Sequence, residues 1–225
     1  MPPVFQYGSN CDEARLNVPE RLAGDTLYLG RAQTLDEYDI AFDVWSQTNA
    51  CAASNLVLVA GSGRRSWGIL YEIPADLIRV RRPDGRRTLA QIEGSRYEER
   101  PIRVRNADGV GVTVTTFLVK ADEQRSGLWT SFEYVQHIVR GLRTHEVSEE
   151  YVQRVIDIAI QTNNRAAQAV TEQIQLIEME LAISAHIAFI WLVCFDGLKR
   201  QVDALPSSAL RSMPLESVEE NEERR

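Results

Sequence analysis

The stretch Phe5-Gln6-Tyr7-Gly8-Ser9-Asn10 gives the strongest indication of the fold. An apolar residue and a tyrosine followed by Gly-Ser-Asn predict a strand that breaks into a tight loop. Gly8 can reach backbone angles closed to other residues, and Ser9 and Asn10 favour turns because their side chains bind nearby backbone N–H groups. Such a loop can present several N–H donors to an anion or an oxyanion. The same residue types also occur at ordinary strand–turn–helix junctions, so the stretch alone leaves both interpretations open.

The composition predicts one domain, or one domain with an appendage. The chain has 225 residues, 44% of them hydrophobic, and a net charge of −7. This acidic balance disfavours nucleic acid and an anionic membrane surface as the main partner. A local basic cluster around Pro83-Asp84-Gly85 is interpreted as a turn with solvated charges. It comprises Arg79, Arg81, Arg82, Arg86 and Arg87.

The cysteines and histidines do not predict a metal site. They are widely scattered, without a Cys-x-x-Cys pair or a zinc-ligand spacing. The N-terminus has neither a basic region nor a long apolar run, so we expect no signal peptide, and unpaired cysteines fit a reducing cytoplasm. The prediction is a cytoplasmic protein without metal or cofactor. The residues concerned are Cys11, Cys51, Cys194, His137, His145 and His186.

The chain up to about residue 120 is predicted to be rich in β-strands, and the remainder to be helical. Ser148 is expected to cap a second helix, and Asn163-Asn164 to separate it from a third. The strands are predicted at residues 4–7, 26–29, 66–73, 100–105 and 110–119, the last two forming a hairpin, and the helices at 132–142, 149–162 and 165–198.

The last predicted helix contains 15 consecutive residues, 181–195, without Asp, Glu, Lys or Arg. A membrane-spanning helix needs roughly 18 to 20 apolar residues, so a membrane anchor is the minor alternative. An exposed apolar helix is rare in soluble monomers, which favours a homodimer. The contact is predicted to involve Ile183, Ile187, Ile190, Trp191 and Phe195. The expected organisation is a domain over residues 1–162, a dimer-forming helix over 163–200 and a polar, disordered tail over 201–225.

Familiar catalytic motifs are missing from the sequence. Residues 61–65 lack the Gly-Lys-Ser/Thr of a P-loop, no Gly-x-Ser-x-Gly is present, and neither Ser9 nor Cys11 has an obvious histidine partner. The remaining candidate is Glu93, which lies between an apolar residue and Gly94. Partial burial would raise its pKa towards neutrality and suit it to proton transfer. A surface glutamate at a helix end is the alternative interpretation.

Four blocks of the sequence, taken in order, resemble the gamma-glutamylcyclotransferase family. They are residues 5–10, with Tyr-Gly-Ser-Asn; 67–73, a strand beginning Trp-Gly; 89–97, with Glu-Gly followed by a tyrosine; and 130–151, similar to a Pro-Ser-x-x-Tyr helix and the helix after it. The resemblance covers residues 4 to about 160. It implies an α+β fold, a small mixed β-barrel with flanking helices, to which this chain adds a long C-terminal helical extension.

The resemblance also implies an activity of acyltransferase or lyase type. In a gamma-glutamyl amide, the free α-amine attacks the γ-carbonyl of the same molecule, which yields 5-oxoproline and a released amine. The nucleophile belongs to this small-molecule substrate, so no metal or cofactor is required. Glu93 matches the family's catalytic acid/base. By the same resemblance, Tyr7, Gly8, Ser9 and Asn10 match the family's substrate loop, and Tyr97 and Tyr134 match aromatic positions near its pocket, so all six are expected to bind the substrate.

Three features depart from the family pattern. Ala90 replaces a usual aspartate, Thr130 replaces the proline of the fourth block, and the helix from Arg165 has no counterpart in compact members. These departures leave the released amine open. They also leave an alternative function, a non-catalytic binding or scaffold protein that recruits a partner through the C-terminal helix.

Overall fold

The computed structural model of the protein describes residues 3–79 and 86–203. Within these ranges it contains seven strands, and five of them close into a barrel in the order β1-β5-β2-β6-β7. The strands are β1 (Val4–Gln6), β2 (Leu27–Thr34), β3 (Tyr38–Ser46), β4 (Cys51–Leu58), β5 (Trp67–Glu72), β6 (Tyr97–Asn106) and β7 (Gly111–Val119).

The barrel is mixed, as predicted. Its strands pair antiparallel except for β1 and β7, which run parallel where Val4 lies opposite Thr115. The predicted hairpin is β6–β7, in which Val104 lies opposite Val112. Its turn is held by Asn106, whose Oδ1 accepts a hydrogen bond of 2.8 Å from the backbone N–H of Val110. The alternation of valines therefore indicated the correct pair of strands.

The sequence analysis missed the separate hairpin formed by β3 and β4. In β3 the alternation is broken by a bulge between Phe42 and Val44, and in β4 the residues Ala52–Asn55 are small or polar rather than β-branched. Both strands are nevertheless largely buried. Packing against neighbouring elements therefore compensates for weak intrinsic strand preference.

Five α-helices lie in the described ranges: α1 (Glu13–Leu16), α2 (Ala75–Ile78), α3 (Leu89–Glu93), α4 (Phe132–Thr144) and α5 (Glu149–Asp203). The first turn of α4 is capped by Ser131, whose Oγ accepts from the Tyr134 N–H at 3.1 Å. Helix α5 begins directly after Ser148, as predicted.

The predicted break at Asn163-Asn164 is wrong, because α5 runs through it without interruption. The side chain of Asn163 is engaged elsewhere. Its Oδ1 accepts from the Thr130 N–H at 2.7 Å and its Nδ2 donates to the Thr130 carbonyl at 3.0 Å. An asparagine whose side chain is bound in this way does not compete for the helix backbone.

The chain divides into two units, Met1–Val170 and Thr171–Arg225. In the second unit, apolar side chains along the described helix are exposed, among them Ile183 at 53%, Ile187 at 52% and Ile190 at 56%. By length and composition, one described stretch of α5 between Glu149 and Cys194 is apolar enough to cross a membrane, with a mean hydropathy of 1.8 in its most apolar window. The predicted domain limits stay predictions. Arg81, Arg82, the tail from residue 204, and the side chains of Trp191 and Phe195 lie outside the described part.

Candidate active site

The loop after β1 is fixed by contacts on both sides. Tyr7 donates a hydrogen bond of 2.6 Å from its hydroxyl to the Phe117 carbonyl. Gly8 lies so close to β4 that an added Cβ would fall 2.3 Å from Ser54 Oγ. The next three residues, Ser9–Cys11, form one buried turn of 3₁₀ helix. A side chain at Gly8 would therefore require the Ser54 hydroxyl or the loop to move.

Glu93 is the last residue of the short helix α3. The helix begins with a reciprocal capping arrangement, in which Thr88 Oγ1 accepts from the Gln91 N–H and the Gln91 side chain accepts from the Thr88 N–H. It ends at Gly94, where φ is +90°, a conformation that favours glycine. The two ends of α3 thus fix the direction of the Glu93 side chain.

The structure brings Glu93 and the loop together. Asn10 Nδ2 donates to Glu93 Oε1 at 2.8 Å, across 83 positions of sequence. The orientation of the Asn10 amide is set by Arg21, whose Nη2 donates to Asn10 Oδ1 at 2.7 Å. Because the amide oxygen is occupied by a guanidinium, its nitrogen must face the carboxylate.

The carboxyl of Glu93 has a shifted proton affinity. Burial raises the pKa of Glu93 above the ordinary value, although the positive charge of Arg21 and the amides of Asn10 and Gln6 act in the opposite direction. Desolvation disfavours the ionised form, and a neighbouring cation favours it. These effects oppose one another at Glu93, and the net result is a raised pKa.

Two tyrosine hydroxyls also line the site. Tyr134 Oη accepts from the Ser54 N–H at 3.1 Å and lies 3.0 Å from Ser54 Oγ. Tyr97 donates from its hydroxyl to the Ser54 carbonyl at 2.7 Å. Burial raises the pKa of both tyrosines, so both hydroxyls stay protonated at neutral pH.

These residues surround a narrow recess that continues into a wider cavity. The recess has a volume of about 20 Å³ and is lined by all seven residues predicted from the sequence, together with Gln6, Ser54 and Phe117. The wider cavity, of about 630 Å³, shares Glu93 and Asn10 with it. A larger cavity of about 1000 Å³, between β3 and the first turns of α5, contains none of the predicted residues.

The sequence analysis missed three residues of the site: Gln6, Arg21 and Ser54. Gln6 precedes the loop, and its Nε2 atom is buried without a hydrogen bond of standard geometry to any described residue. Arg21 follows α1, and Ser54 lies on the missed strand β4. Only Gln6 carried a signal, as a polar residue in an otherwise apolar strand. The described residues include no group of three or more His, Cys, Asp or Glu arranged to hold a metal ion.

Comparisons with known proteins identify the fold. A solved structure described as gamma-glutamyl cyclotransferase superposes with a TM-score of 0.56 at 17% identity, covering 68% of this chain and 85% of that one. The domain has the gamma-glutamyl cyclotransferase-like fold. An uncharacterised human protein matches this fold with a TM-score of 0.54 at 20% identity, over 68% of this chain and 85% of its own.

YkqA from Bacillus subtilis shares the gamma-glutamyl cyclotransferase-like fold, with a TM-score of 0.55 at 21% identity, over 72% of this chain and 55% of its own. Neither a family model nor a curated protein matches the sequence. The resemblance noted in the sequence is therefore confirmed at the level of the fold, at low sequence identity.

Proposed function

We propose that the protein is a gamma-glutamylcyclotransferase-type enzyme, which converts a gamma-glutamyl amide to 5-oxoproline and a free amine with Glu93 as general acid/base. The observation that carries the proposal is the contact between Asn10 and Glu93. It puts a carboxyl with a raised pKa beside a loop of amide donors. General acid/base groups are expected in such surroundings.

Glu93 would transfer one proton in two steps. The α-amine of a gamma-glutamyl group has an ordinary pKa of about 8, so a fraction of it is neutral at pH 7. As its nitrogen attacks the γ-carbonyl, the Glu93 carboxylate takes a proton from it. The tetrahedral intermediate then collapses, and Glu93 returns the proton to the departing nitrogen. In this collapse, the bond between the γ-carbon and the leaving nitrogen breaks, and the new bond between the γ-carbon and the α-nitrogen is kept as part of the 5-oxoproline ring.

The recess suits the oxygen that becomes negative in this reaction. Its volume of about 20 Å³ admits a single small group, such as a carbonyl oxygen. Among the described residues, no acceptor is hydrogen bonded to the backbone N–H groups of Gly8, Ser9 or Asn10. Donors fixed in advance around a developing oxyanion lower the barrier.

A panel of gamma-glutamyl amides tests the proposal, with release of 5-oxoproline followed by chromatography. The panel should contain gamma-glutamyl dipeptides, a gamma-glutamyl alkylamine and a gamma-glutamyl isopeptide of lysine. We expect turnover of at least one of them by the purified chain. Absence of 5-oxoproline from every member, with a folded protein, would contradict the proposal.

The alternative is a binding protein of the same fold that recruits a partner through its C-terminal helix. The exposed apolar residues in the second unit favour it, since such surface is commonly covered in the cell. The same panel separates the two functions, because a binding protein would take up a ligand without releasing 5-oxoproline.

A further inference from the structure

The wider cavity outside the recess is strongly cationic, although the whole chain carries a net charge of −7. Among the described residues that line it, Glu93 carries the single carboxylate. The same cavity is lined by five arginines: Arg15, Arg21, Arg87, Arg96 and Arg140. A cavity of this kind concentrates anions.

Two of these arginines are neutralised by acidic residues outside the cavity lining. Arg140 binds Asp12, with 3.0 Å between its Nε and the carboxylate. Arg96 Nε lies 3.5 Å from Glu123 Oε2. Each already forms an ion pair within the protein, so neither is a candidate for binding a substrate.

The other three arginines form no ion pair with any described residue. Within residues 3–79 and 86–203, no carboxylate forms an ion pair with Arg15, Arg21 or Arg87. Each is bound only to a neutral oxygen: Arg15 to Asn49 Oδ1 at 2.8 Å, Arg21 to Asn10 Oδ1, and Arg87 to the Gln91 carbonyl at 2.6 Å.

Burial and the neighbouring arginines both act on the charge of Arg21. Burial lowers its pKa to about 10, and the positive charges of Arg15 and Arg87 add to the effect, while Glu93 opposes it. The Nε atoms of Arg15 and Arg21 are also buried without a partner among the described residues. Three cations held this close together are stabilised when an anion binds between them.

We propose that Arg15 and Arg87 bind an anionic group on the leaving amine, so that the substrate is a gamma-glutamyl amide of an acidic amine rather than of a neutral or cationic one. The inference rests on the proposed function. Arg21 is excluded from this role because it orients Asn10. The γ-carbonyl oxygen occupies the recess, so the remainder of the substrate extends into the wider cavity, where both arginines lie.

Three substrates that differ only in one group test this assignment. They are the gamma-glutamyl amides of glycine, of aminomethylphosphonate and of glycinamide, which carry a carboxylate, a phosphonate and a neutral amide at the same position. We expect kcat/KM for the better anionic substrate to exceed that for the glycinamide compound at least tenfold, the size of one charge-assisted hydrogen bond. A higher kcat/KM for the glycine compound would indicate that the site binds a carboxylate, and a higher kcat/KM for the phosphonate compound would indicate that it binds a phosphate-like group.

The arginine variants provide the second comparison. In R15Q and R87Q, the ratio of anionic to neutral kcat/KM should fall about tenfold. The matched control is R65Q, because Arg65 also binds only a backbone carbonyl, that of Leu35, but lies on the other cavity. Its ratio should equal that of the unaltered chain. A ratio near one in the unaltered chain, or an unchanged ratio in R15Q and R87Q, would overturn the assignment.

Binding measurements separate failure of this inference from failure of the proposed function. Dissociation constants of the same three compounds can be measured by calorimetry with the E93Q variant, in which turnover is expected to be slow. A preference for the anions that R15Q or R87Q removes supports the assignment even where no 5-oxoproline is released. Equal affinities for all three compounds would refute it even if all three were cyclised.

Discussion

Gly141 of α4 lies directly against the backbone of Cys11, so that a Cβ added at Gly141 would fall 2.2 Å from the Cys11 carbonyl carbon. The contact joins α4 to the end of the loop that carries Ser9 and Asn10. Glycine inside a helix is unfavourable by itself. Its presence here allows the close approach that holds the loop against the rest of the site.

We therefore predict that G141A destabilises the protein, although alanine is the better helix former. The clash is with backbone, which cannot rotate away, and overpacking of this kind costs about 1 to 3 kcal/mol in free energy of unfolding. The matched control is Q136A, at an exposed position of the same helix. Urea denaturation of both variants measures the difference. A G141A protein as stable as Q136A would show that α4 can move away from the loop.

The second prediction concerns Glu93. The E93Q variant keeps the size of the side chain and its hydrogen-bonding oxygen but cannot transfer the proton. We expect kcat to fall by about 10² to 10⁴, with little change in the affinity for substrate. E98Q is the control, because Glu98 is an acidic residue of β6 that pairs with Arg100. Near-normal turnover by folded E93Q would remove Glu93 from the mechanism.

The third prediction concerns the pH dependence of catalysis. In the proposed mechanism, Glu93 must be ionised to accept the first proton, so its pKa should set the acid limb of kcat/KM. The positive charge of Arg21 lowers this pKa. Removal of the charge in R21Q should therefore move the acid limb to higher pH, whereas R21K, which retains the charge, should move it less. An acid limb at the same pH in R21Q and the unaltered chain would contradict the electrostatic coupling.

The fourth prediction concerns stability in acid. Burial opposes ionisation of Asp12, but hydrogen bonds from Arg140 and His137 outweigh it, and the net effect is a lowered pKa. A lowered pKa means that Asp12 contributes stability above its unfolded-state pKa of about 3.9, and that this contribution is lost as the pH falls further.

The variant D12N should thus be less stable at pH 7 by about 1 to 3 kcal/mol, and the difference should shrink below pH 4. Denaturation midpoints across this pH range provide the measurement. A difference that stays constant with pH would show that the charge of Asp12 is immaterial.

The fifth prediction concerns the exposed part of α5. From Val170 onward, apolar residues recur alternately three and four positions apart: Val170, Ile174, Ile177 and Leu181. This spacing is typical of helices that associate with one another, and it extends outside the uncharged stretch. We therefore propose a homodimer through this helix, with the small-molecule site in each copy.

Sedimentation of the full-length chain should give a dimer. The variant I183E should weaken the dimer, and Q175E, at an exposed polar position of the same helix, should not. If the chain is a monomer instead, flotation with lipid vesicles shows whether the exposed helix binds a membrane. A monomer that binds vesicles would replace the dimer by a membrane-associated helix, in line with the hydropathy of this stretch.

The sequence predicted the barrel better than it predicted the β3–β4 hairpin. Val104 and Val112 alternate with polar neighbours, and that pattern follows directly from having one buried face. Strand β4 has no such pattern, because both of its faces are covered, and Ser54 and Asn55 are buried as polar residues. Their hydrogen bonds are made to residues far along the chain, which local patterns do not contain.

The residues of the site also differ in how well the sequence predicted them. The loop and Glu93 belong to sequence blocks that resemble a known family, so the resemblance was enough to select them. Arg21 belongs to no block, and its importance follows only from the contact with Asn10. Ser54 bonds to Tyr134 across 80 positions. Residues of this kind are identified by the three-dimensional arrangement, since no spacing in the sequence relates them.

Strand β1 is only three residues long, yet it pairs with β5 on one side and meets β7 on the other, and it leads directly into the loop at Gly8. Closure of the barrel and assembly of the site consequently depend on the same short strand. The hydroxyl of Tyr7 reaches Phe117 across 110 positions, so this assembly needs contacts between distant parts of the chain, which form slowly. Local detachment of β1 from β5 and β7 would therefore remove the loop at Gly8 from the proposed site even if the remaining strands stayed paired.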